Sequence, residues 1–393
     1  MRIAMVGPFG FHPNKTMRSR ALGLARPLAA RGHDVHIFMP PWQTPAEADK
    51  RWQEDGVAIR TVPLSGGTLG ITGRLLREVL AWQPDVVHCF KPKAYSGLVA
   101  WWLWQFHRRR LRLVVDSDDW EGWGGWNDLA PYSTAQKQVF AWQERWGMAH
   151  CHALTVASRA LETLAWGRGV PPERVVYVPN GAGIAQSGAQ DDQPSPAHSL
   201  TRSPHLLLYS RLFEFDTGRL VAVLQGVQTA VPDLKILAVG AGLYEADAAQ
   251  LRQQLAGAGL LAAVEDVGWV AEAELADTLC RADVGLYLMD DTLLNRTKCP
   301  VKLADMLALG IPVVGEAVGQ VSEYVVHGQT GLLRPSGDVA GLTADLIHLL
   351  TEPEKRAQMA RNGRRHYAAH FAWPRLADRL EWVYQDGRRE TRA

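Results

Sequence analysis

Short apolar runs alternate with longer segments of helical periodicity along the first half of the chain. The predicted strands there are 3–6, 35–38, 58–62, 85–89, 111–115 and 154–157. The predicted helices are 17–30, 72–82, 95–108 and 134–149. Strands that are apolar throughout, rather than alternately apolar and polar, are typical of a parallel sheet covered by helices on both faces.

The same alternation occurs again after an interruption. Residues 183–204 are rich in Gln, Ser, Pro and Asp and have no periodicity, which predicts a linker. The predicted strands of the second half are 205–209, 236–239, 264–267, 284–288, 313–314 and 332–333. The last predicted helix is 374–386. At 393 residues the chain has the length of two domains. We therefore predict an α/β protein with two Rossmann-like, doubly wound parallel-sheet domains, 1–182 and 205–372.

Doubly wound sheets bind their ligands at the carboxyl ends of the strands. The functional residues are therefore expected in the loops that follow strands. Two such domains are expected to place those loops on both sides of one cleft.

The amino-acid composition limits which binding partners and which cellular compartment are expected. Lys and Arg number 42 and Asp and Glu 41, so a net charge of +1 gives no overall attraction for nucleic acid, and no nucleic-acid partner is predicted. The four cysteines have no CxxC or metal-ligand spacing, which predicts free thiols in a reducing, cytoplasmic compartment. The sequence contains no apolar stretch of about 18 residues, so no transmembrane helix is predicted.

A candidate phosphate site follows the predicted strand 284–288. Pro300 is suited to the first turn of a helix that ends at Gly310. The first amides and the positive dipole end of such a helix attract a diphosphate. Lys302 adds positive charge, and Asp305 lies one turn further along, within reach of a ribose diol.

The segment 295–338 resembles the donor-site region of the retaining family-4 glycosyltransferases, which have the GT-B fold. That family carries a PLKLxEYMAxGxPVV-type run, then a glycine turn, a PExVxxG-like element, TGLLV and GD. The matching residues are Pro300–Leu303, Asp305, Gly310–Val314, Gly319, Glu323, Gly328, Thr330–Leu333 and Gly337–Asp338. So long an ordered match is far more specific than a single glycine triplet.

The resemblance covers nearly the whole chain. The further matching segments are 7–16, 32–35, 85–88, 178–181, 209–212, 239–242, 268–270 and 371–373. It implies a nucleotide-sugar donor bound in the cleft of a GT-B fold. It also implies that a C-terminal helix, 373–388, packs back on the first domain.

The activity that the resemblance implies is retaining hexosyl transfer. A sugar would move from a nucleotide-diphosphate sugar to a glycan or lipid-linked acceptor, in cell-surface polysaccharide or glycoconjugate synthesis. The leaving phosphate oxygen can take the acceptor's proton, so neither a protein nucleophile nor a metal or other cofactor is expected. The implied catalytic residues are Arg211, Lys302, His88 and Asp118. The implied donor-binding residues are Gly10, Arg211, Gly242, Trp269, Val270, Thr297, Lys298, Cys299, Pro300, Val301, Lys302 and Asp305.

Three positions depart from the family pattern. Relatives often have two glutamates eight positions apart, and a lysine six positions after the arginine that Arg211 matches. Thr297, Asp305 and Thr217 occupy these positions. A catalytically degenerate GT-B-like protein that only binds nucleotide or glycan is therefore the alternative. An NAD-dependent oxidoreductase, suggested by the fold alone, is a third hypothesis, and the match over 295–338 argues against it.

The loop after the predicted strand 111–115 is both acidic and aromatic. Asp118, Asp119, Trp120 and Trp123 are the candidate acceptor-binding residues, because indoles stack on sugar rings and carboxylates accept hydrogen bonds from hydroxyl groups. A solvated acidic turn with structural tryptophans is the second interpretation. A metal site is the third, because hard cations take carboxylate oxygens.

Other polar residues near strand ends also have two interpretations. His88 suits catalysis and a buried structural bond equally well. Lys91 and Lys93 are predicted to lie in a solvated loop, and Arg20 on the outer side of a helix. Gly10 is predicted to be functional, because glycine lets the backbone approach a ligand closely.

A tryptophan cluster precedes a run of arginines. Trp101, Trp102 and Trp104 are followed by Arg108–Arg110. Indoles beside arginines are typical of a membrane interface, so Trp101–Arg112 is a candidate for peripheral contact with the inner face of a membrane. The alternative is structural, with the aromatic rings in the core and the arginines at a helix C-terminus.

Overall fold

Two β-sheets with their covering helices make up the described part of the protein. The computed structural model describes residues 1–13, 15–184, 203–242 and 245–385. Unit 1 consists of Met1–Gly181, Thr297–Cys299 and Ala372–Ala393, and unit 2 of Ala182–Arg296 and Pro300–Phe371. Most of the predicted linker 183–204 lies outside the described residues.

The sheet of unit 1 has eight strands among the described residues. They are, in chain order, β1 (Arg2–Val6), β2 (Asp34–Met39), β3 (Arg51–Glu54), β4 (Val57–Thr61), β5 (Val86–Phe90), β6 (Arg112–Ser117), β7 (Ala153–Val156) and β8 (Val175–Tyr177). Their order across the sheet is β3-β4-β2-β1-β5-β6-β7-β8. Only the β3–β4 pair is antiparallel in this sheet. The strand order changes direction between β1 and β5, which is where doubly wound sheets bind ligands.

Helices cover both faces of this sheet. They are α1 (Leu22–Ala30), preceded by a π-helical segment (Thr16–Ala21), then α2 (Gly67–Ala81), α3 (Ala94–Phe106), α4 (Trp126–Leu129), α5 (Thr134–Ala149), α6 (Arg159–Gly167) and the C-terminal α15 (Trp373–Tyr384). Successive residues of β1 enter opposite cores, because strand side chains alternate between the two faces. Met5 packs in the core that contains α1 and α15, and Val6 in the core that contains α2 and α3.

Unit 2 repeats this architecture with a sheet that is parallel throughout. Its strands are β9 (His205–Tyr209), β10 (Lys235–Val239), β11 (Val264–Asp266), β12 (Val284–Tyr287), β13 (Val313–Glu316) and β14 (Gly331–Arg334), in the order β11-β10-β9-β12-β13-β14. The helices that begin in this unit are α7 (Thr217–Ala230), α8 (Glu245–Gly257), α9 (Glu272–Leu279), α10 (Leu293–Thr297), α11 (Val301–Leu309), α12 (Val321–Tyr324), α13 (Val339–Thr351) and α14 (Pro353–His370). Its change of strand order lies between β9 and β12.

The prediction of two α/β units with parallel sheets is confirmed. The predicted apolar strands all occur, with ends that differ by a residue or two. Two strands were missed. β3 is a polar, antiparallel edge strand, so it has no apolar run to detect, and β8 is only three residues long.

The C-terminal helix α15 packs in unit 1 against α1. Leu376 and Leu380 are fully buried in the same core as Leu24. The Trp373 ring lies over Gly23, where a Cβ would come within 2.6 Å of the ring. A glycine is therefore required at this position for the helix to pack so closely.

A buried arginine corrects one prediction about unit 1. Arg20 is fully buried rather than on the outer side of its helix. Its guanidinium donates to both carboxylate oxygens of Asp116 at 2.8 and 2.7 Å and to the side-chain oxygen of Asn180 at 3.0 Å. The prediction was wrong because the helical pattern does not show that a carboxylate from a distant part of the chain lies opposite Arg20.

We expect Arg20→Met to lower the free energy of unfolding by about 3–5 kcal/mol, because it leaves the Asp116 carboxylate buried without its cation. Urea denaturation at neutral pH measures the change. Arg18→Met is the matched control: Arg18 pairs at 2.6 Å with Glu54, which keeps a second partner in Arg26. Its expected cost is below about 1 kcal/mol, and equal losses in both variants would contradict the role assigned to the buried pair.

Candidate functional site

An arginine follows the central strand of unit 2. Arg211 comes two residues after the end of β9, beside Leu212, whose φ of +70° marks a sharp turn. Arg211 is half-buried, and it makes no hydrogen bond or ion pair with the residues that the structure describes. A guanidinium held at a strand end without a protein counter-ion is suited to bind an anion.

The first turn of α11 lies close to the same strand end. No side chain caps this helix at its N-cap residue, Pro300. The ammonium of Lys302 lies 4.5 Å from the centroid of the Tyr209 ring. The charge of Arg211 is also close enough to Tyr209 to affect its pKa, which burial raises. Arg211 and Lys302, which lies in the first turn of α11, are thus both near Tyr209 at the end of β9.

Asp305 is a fully buried carboxylate in α11. One oxygen accepts hydrogen bonds from the backbone amides of Gly183 at 2.6 Å and Ile184 at 3.2 Å. The other accepts one from the Tyr209 hydroxyl at 3.3 Å. Burial raises the pKa of Asp305 to about 6, although these hydrogen bonds lower it. The carboxylate predicted to bind a ribose diol thus already has three donors from the chain itself.

A second buried carboxylate in unit 2 was missed from the sequence. Glu316, at the end of β13, accepts hydrogen bonds from the amides of Met289 at 2.6 Å and Gly337 at 2.7 Å, and from Arg219 at 3.0 Å. Arg219 also donates to Asp290 at 2.7 Å. These bonds tie together the loops after β12, β13 and β14. A glutamate at the end of an otherwise apolar strand is the signal that could have identified it.

The glycine turn after β10 places further predicted donor residues at the same end of the sheet. Gly240 and Gly242 have φ values of +58° and +88°, which favour glycine. The Gly240 amide donates to the Gly268 carbonyl at 2.7 Å, which holds this turn beside the loop that contains Trp269 and Val270. The Trp269 indole is largely exposed at this turn.

The predicted donor residues Thr297, Lys298 and Cys299 are grouped with unit 1. The Ser158 hydroxyl donates to the Thr297 carbonyl at 2.7 Å. Asn180 donates to the Cys299 carbonyl at 2.8 Å and to its sulfur at 3.1 Å. Thr297 and Cys299 are thus held in place by residues of unit 1, and their role in donor binding stays a prediction.

The acidic loop after β6 surrounds a buried lysine. The ammonium of Lys91 lies 3.3 Å from Asp118, 3.0 Å from Asp119 and 2.9 Å from Glu121. Burial lowers the pKa of Lys91, but the three carboxylates more than offset this and raise it well above its usual value. Although burial raises the pKa of Glu121, Lys91 and Lys93 hold it down at about 2. The prediction that Lys91 lies in a solvated loop was wrong.

This ion cluster changes the interpretation of the acidic loop. Within the described residues, no group of His, Cys, Asp or Glu side chains is arranged to hold a metal ion, and an ammonium lies between the carboxylates of this loop. One oxygen of Asp118 accepts a hydrogen bond from the Thr16 hydroxyl at 2.9 Å, and the other, which is buried, lies 3.3 Å from the Lys91 ammonium.

The two predicted acceptor tryptophans differ in exposure. Trp120 is buried, and its indole N–H donates to the Trp123 carbonyl at 2.8 Å. The loop wraps around the Trp120 ring, because a Cβ on Gly122 would approach that ring to 2.2 Å. The Trp123 side chain is 53% exposed. Trp123 is thus presented to solvent on a turn that Trp120 anchors.

His88 is fully buried in β5. One ring nitrogen lies 2.8 Å from the Tyr384 hydroxyl of α15, and the other 3.1 Å from the Thr155 hydroxyl, which in turn donates to Asp116 at 2.6 Å. Burial, and then the charge of Arg20, hold the pKa of His88 well below its usual value. This environment favours the structural interpretation that the sequence left open.

Gly10 lies in the buried loop after β1. A Cβ at this position would lie 3.2 Å from the Cα of Pro41. The close packing of these two loops is therefore one reason for the glycine, beside the predicted approach to a ligand.

Two family models match this chain, and together they span most of it. Residues 15–181 match a glycosyl transferase 4-like domain, and residues 204–352 match glycosyl transferases group 1. The chain belongs to the retaining family-4 glycosyltransferases.

Curated relatives of this glycosyltransferase match along its length. Phosphatidyl-myo-inositol mannosyltransferase of Mycobacterium leprae is 26% identical over 98% of this chain and 96% of its own. Glycogen synthase of Mycobacterium tuberculosis is 27% identical over 94% of this chain and 90% of its own. The chain is thus a hexosyltransferase that transfers a sugar from a nucleotide sugar.

Solved structures show the same fold. Sucrose-phosphate synthase from Thermosynechococcus elongatus matches with a TM-score of 0.69 at 19% identity, over 98% of both chains. HepE of Anabaena, in complex with UDP and glucose, matches with a TM-score of 0.70 at 17% identity, over 98% of this chain and 99% of that one. The glycosyltransferase therefore has the GT-B fold that the resemblance implied.

Two further predictions concern the pairing of the cysteines and the presence of membrane-spanning helices. No disulfide joins any of the four cysteines, which all lie within the described residues, and Cys89, Cys151 and Cys299 are buried. Burial raises the pKa of the Cys89 thiol. Among the described residues, no helix of the enzyme is both long enough and apolar enough to cross a membrane.

We expect Asp305→Asn to gain stability relative to the parent protein as pH rises. The pKa of Asp305 is about 6 in the folded protein and 3.8 in the unfolded chain. Below pH 4 the carboxyl is protonated in both states and does not change the free energy of unfolding. As the pH rises, the unfolded chain ionises first, so the folded protein loses stability, up to about 3 kcal/mol above pH 6. Asparagine keeps an acceptor for the Gly183 amide without ionising. Urea denaturation of both proteins at pH 4.5 and 7.5 measures the difference, and a difference that does not grow with pH would contradict it.

Replacing the buried lysine should loosen the acidic loop. We expect Lys91→Met to cost about 3–5 kcal/mol of unfolding free energy, because three carboxylates lose their central cation. Hydrogen exchange should rise selectively at 117–126, while β9 and β10 remain protected. Lys93→Met is the control, because Glu121 then keeps Lys91 as its partner; equal exchange in the two variants would refute the central role of Lys91.

Proposed function

We propose that the donor diphosphate binds at the carboxyl end of the unit 2 sheet, between Arg211, Lys302 and the amino end of α11. The observation that carries this proposal is the half-buried guanidinium of Arg211, which makes no hydrogen bond or ion pair with the described residues. Such a group is stabilised when an anion binds beside it. The ribose would then lie at Asp305, one helical turn beyond Lys302.

In this proposal, catalysis is mainly the stabilisation of negative charge. As the glycosyl–phosphate bond loosens, positive charge develops on the sugar and negative charge on the leaving phosphate. Arg211, Lys302 and the first amides of α11 stabilise that phosphate. Its oxygen takes the proton of the attacking hydroxyl on the same face of the sugar, which retains the anomeric configuration. No nucleophilic side chain of the enzyme is needed.

The nucleotides named for the relatives indicate which nucleobase of the donor to test first. One curated relative is named a GDP-mannose-dependent alpha-mannosyltransferase, and HepE is in complex with UDP-glucose in one structure. Asp305 would bind a ribose whatever the base. A UDP or GDP sugar is therefore the first donor to test.

The acceptor in this proposal is a glycan or a lipid-linked glycan, in the synthesis of a cell-surface polysaccharide or glycoconjugate. The exposed indole of Trp123 is suited to stack on a sugar ring. The name of the phosphatidyl-myo-inositol relative supports a lipid. Peripheral membrane contact through Trp101–Arg112 and a reducing compartment remain part of the proposal.

We expect one nucleoside diphosphate, or its sugar conjugate, to raise the melting temperature of the enzyme. At about 100 times its dissociation constant, a ligand adds roughly 2.7 kcal/mol of stability. A thermal-shift panel of UDP, GDP, ADP, CDP, dTDP and their common sugars, with NAD as a negative control, identifies it. The Arg211→Ala variant should lose the shift, because the diphosphate loses its main cation.

The control for this experiment is Arg252→Ala. Arg252 belongs to the same unit and is exposed on α8, with its nearest carboxylate partner, Asp266, at 3.8 Å. It should keep the full shift. A panel without any shift, or one in which the Arg211 and Arg252 variants behave alike, would refute the proposed donor site.

A further inference from the structure

A buried asparagine joins the two loops that flank the change of strand order in unit 2. Asn295 lies in α10, between β12 and α11, and is buried. Its side-chain amide donates to the carbonyl of Glu214 at 2.8 Å and to the carbonyl of Asp290 at 2.9 Å. Glu214 belongs to the loop after β9 and Asp290 to the loop after β12, so one side chain holds the two loops together.

The loop after β9 is the loop that carries Arg211. Besides the asparagine bond, the Glu214 carbonyl accepts a hydrogen bond from the backbone amide of Asp290 at 2.8 Å. Leu212 and Phe215, on either side of Glu214, are buried in the core of unit 2. The bonds at Glu214 therefore fix the middle of a loop whose apolar side chains are already anchored.

The loop after β12 is held by further contacts within unit 2. The Arg219 guanidinium donates to Asp290 at 2.7 Å and to Glu316 at 3.0 Å. The Glu316 carboxylate also accepts a hydrogen bond from the Met289 amide at 2.6 Å. Asn295 thus ties the loop after β9 to a neighbour that is itself fixed.

We propose that Asn295 is a positioning residue for the donor diphosphate, because its two hydrogen bonds hold the loop of Arg211 in place before the diphosphate binds. This role rests on the donor site proposed above, and Asn295 acts on the phosphate only through Arg211. Arginine binds a phosphate through a planar fork of fixed geometry, so its strength depends on where the loop places it. Without this tie the ligand itself would have to order the loop, and that cost lowers the affinity.

The residue type suits this role. The amide of asparagine donates two hydrogen bonds without adding a charge beside an anion site. The alternative is that Asn295 only satisfies two loop carbonyls and stabilises the fold. That alternative predicts a lower free energy of unfolding, but no effect that depends on the side chain at position 211.

The test measures nucleotide affinity by isothermal titration calorimetry on the full chain. UDP, GDP, ADP, CDP and dTDP are titrated into the parent protein, and the one that binds most tightly is then titrated into the variants. Asn295→Leu removes both hydrogen bonds. We expect it to weaken binding on the order of 10-fold, because the ligand then has to order the loop.

Asn362→Leu is the matched control. The amide of Asn362 on α14 donates to the carbonyl of Gln329 at 3.0 Å, in the turn before β14. The variant therefore removes the same kind of bond elsewhere in unit 2. It should bind the nucleotide like the parent protein.

Arg211→Lys shows whether Asn295 acts through Arg211. Lysine keeps the charge on a flexible stem, so it depends less on the exact position of the loop. In the Arg211→Lys background, Asn295→Leu should weaken binding by less than about 3-fold, against on the order of 10-fold with arginine. A merely structural role gives the same factor in both backgrounds.

Hydrogen exchange without nucleotide gives a second measurement. Asn295→Leu should raise exchange at residues 211–216, whereas Asn362→Leu should not. If leucine at 295 prevents folding, Asn295→Ser replaces it, because the smaller side chain admits water to the two carbonyls. Loss of the folded state in both variants would assign Asn295 to the fold alone and overturn the inference.

The remaining outcomes separate the role of Asn295 from the donor site itself. A large loss of affinity with arginine, a small one with lysine and raised exchange at 211–216 support the positioning role. Equal factors in both backgrounds, or parental affinity in Asn295→Leu while Arg211→Lys binds more weakly, would overturn it and leave the donor site standing. If the parent protein binds none of the nucleotides, the donor site fails and the role of Asn295 fails with it.

Discussion

Parallel strands end at the same edge of a sheet, and this constraint decides where the chemistry of the protein can lie. In each unit the carboxyl ends next to the change of strand order carry charged residues on short loops. Arg211 follows the central strand of unit 2, while Lys91 and the acidic loop follow β5 and β6 of unit 1. The central strands of each sheet are largely buried, so they support these loops from below.

Two buried cations of unit 1 are each paired with carboxylates. Arg20 and Asp116 neutralise each other in unit 1, and Lys91 is held by three carboxylates. A buried pair adds little net stability over an apolar pair, but it fixes one arrangement, because any other leaves a charge without compensation. Arg211 has no such partner among the described residues, and this is why we propose it as the site of the donor diphosphate.

The sequence predicted the alternation of strands and helices well, because continuous apolar runs and helical periodicity are local signals. Motif spacing also singled out Arg211, Lys302 and Asp305, and their role in donor binding stays a prediction. Prediction from the sequence failed where the outcome depends on residues far apart in the chain. Nothing near Lys91 shows that residues 118–121 surround it, and nothing near Arg20 shows that Asp116 and Asn180 lie opposite. The polar edge strand β3 was missed because only its pairing with β4 makes it a strand.

The hydrogen bonds that Asp305 already accepts affect how strongly a ligand can bind to it. Its oxygens already accept hydrogen bonds from Gly183, Ile184 and Tyr209. A ribose that takes these positions competes with the protein's own backbone, so the observed affinity equals the intrinsic affinity reduced by the population of the form in which the carboxylate is released. Substitutions at 183 or 184 that weaken this internal competitor would then tighten nucleotide binding without touching the nucleotide.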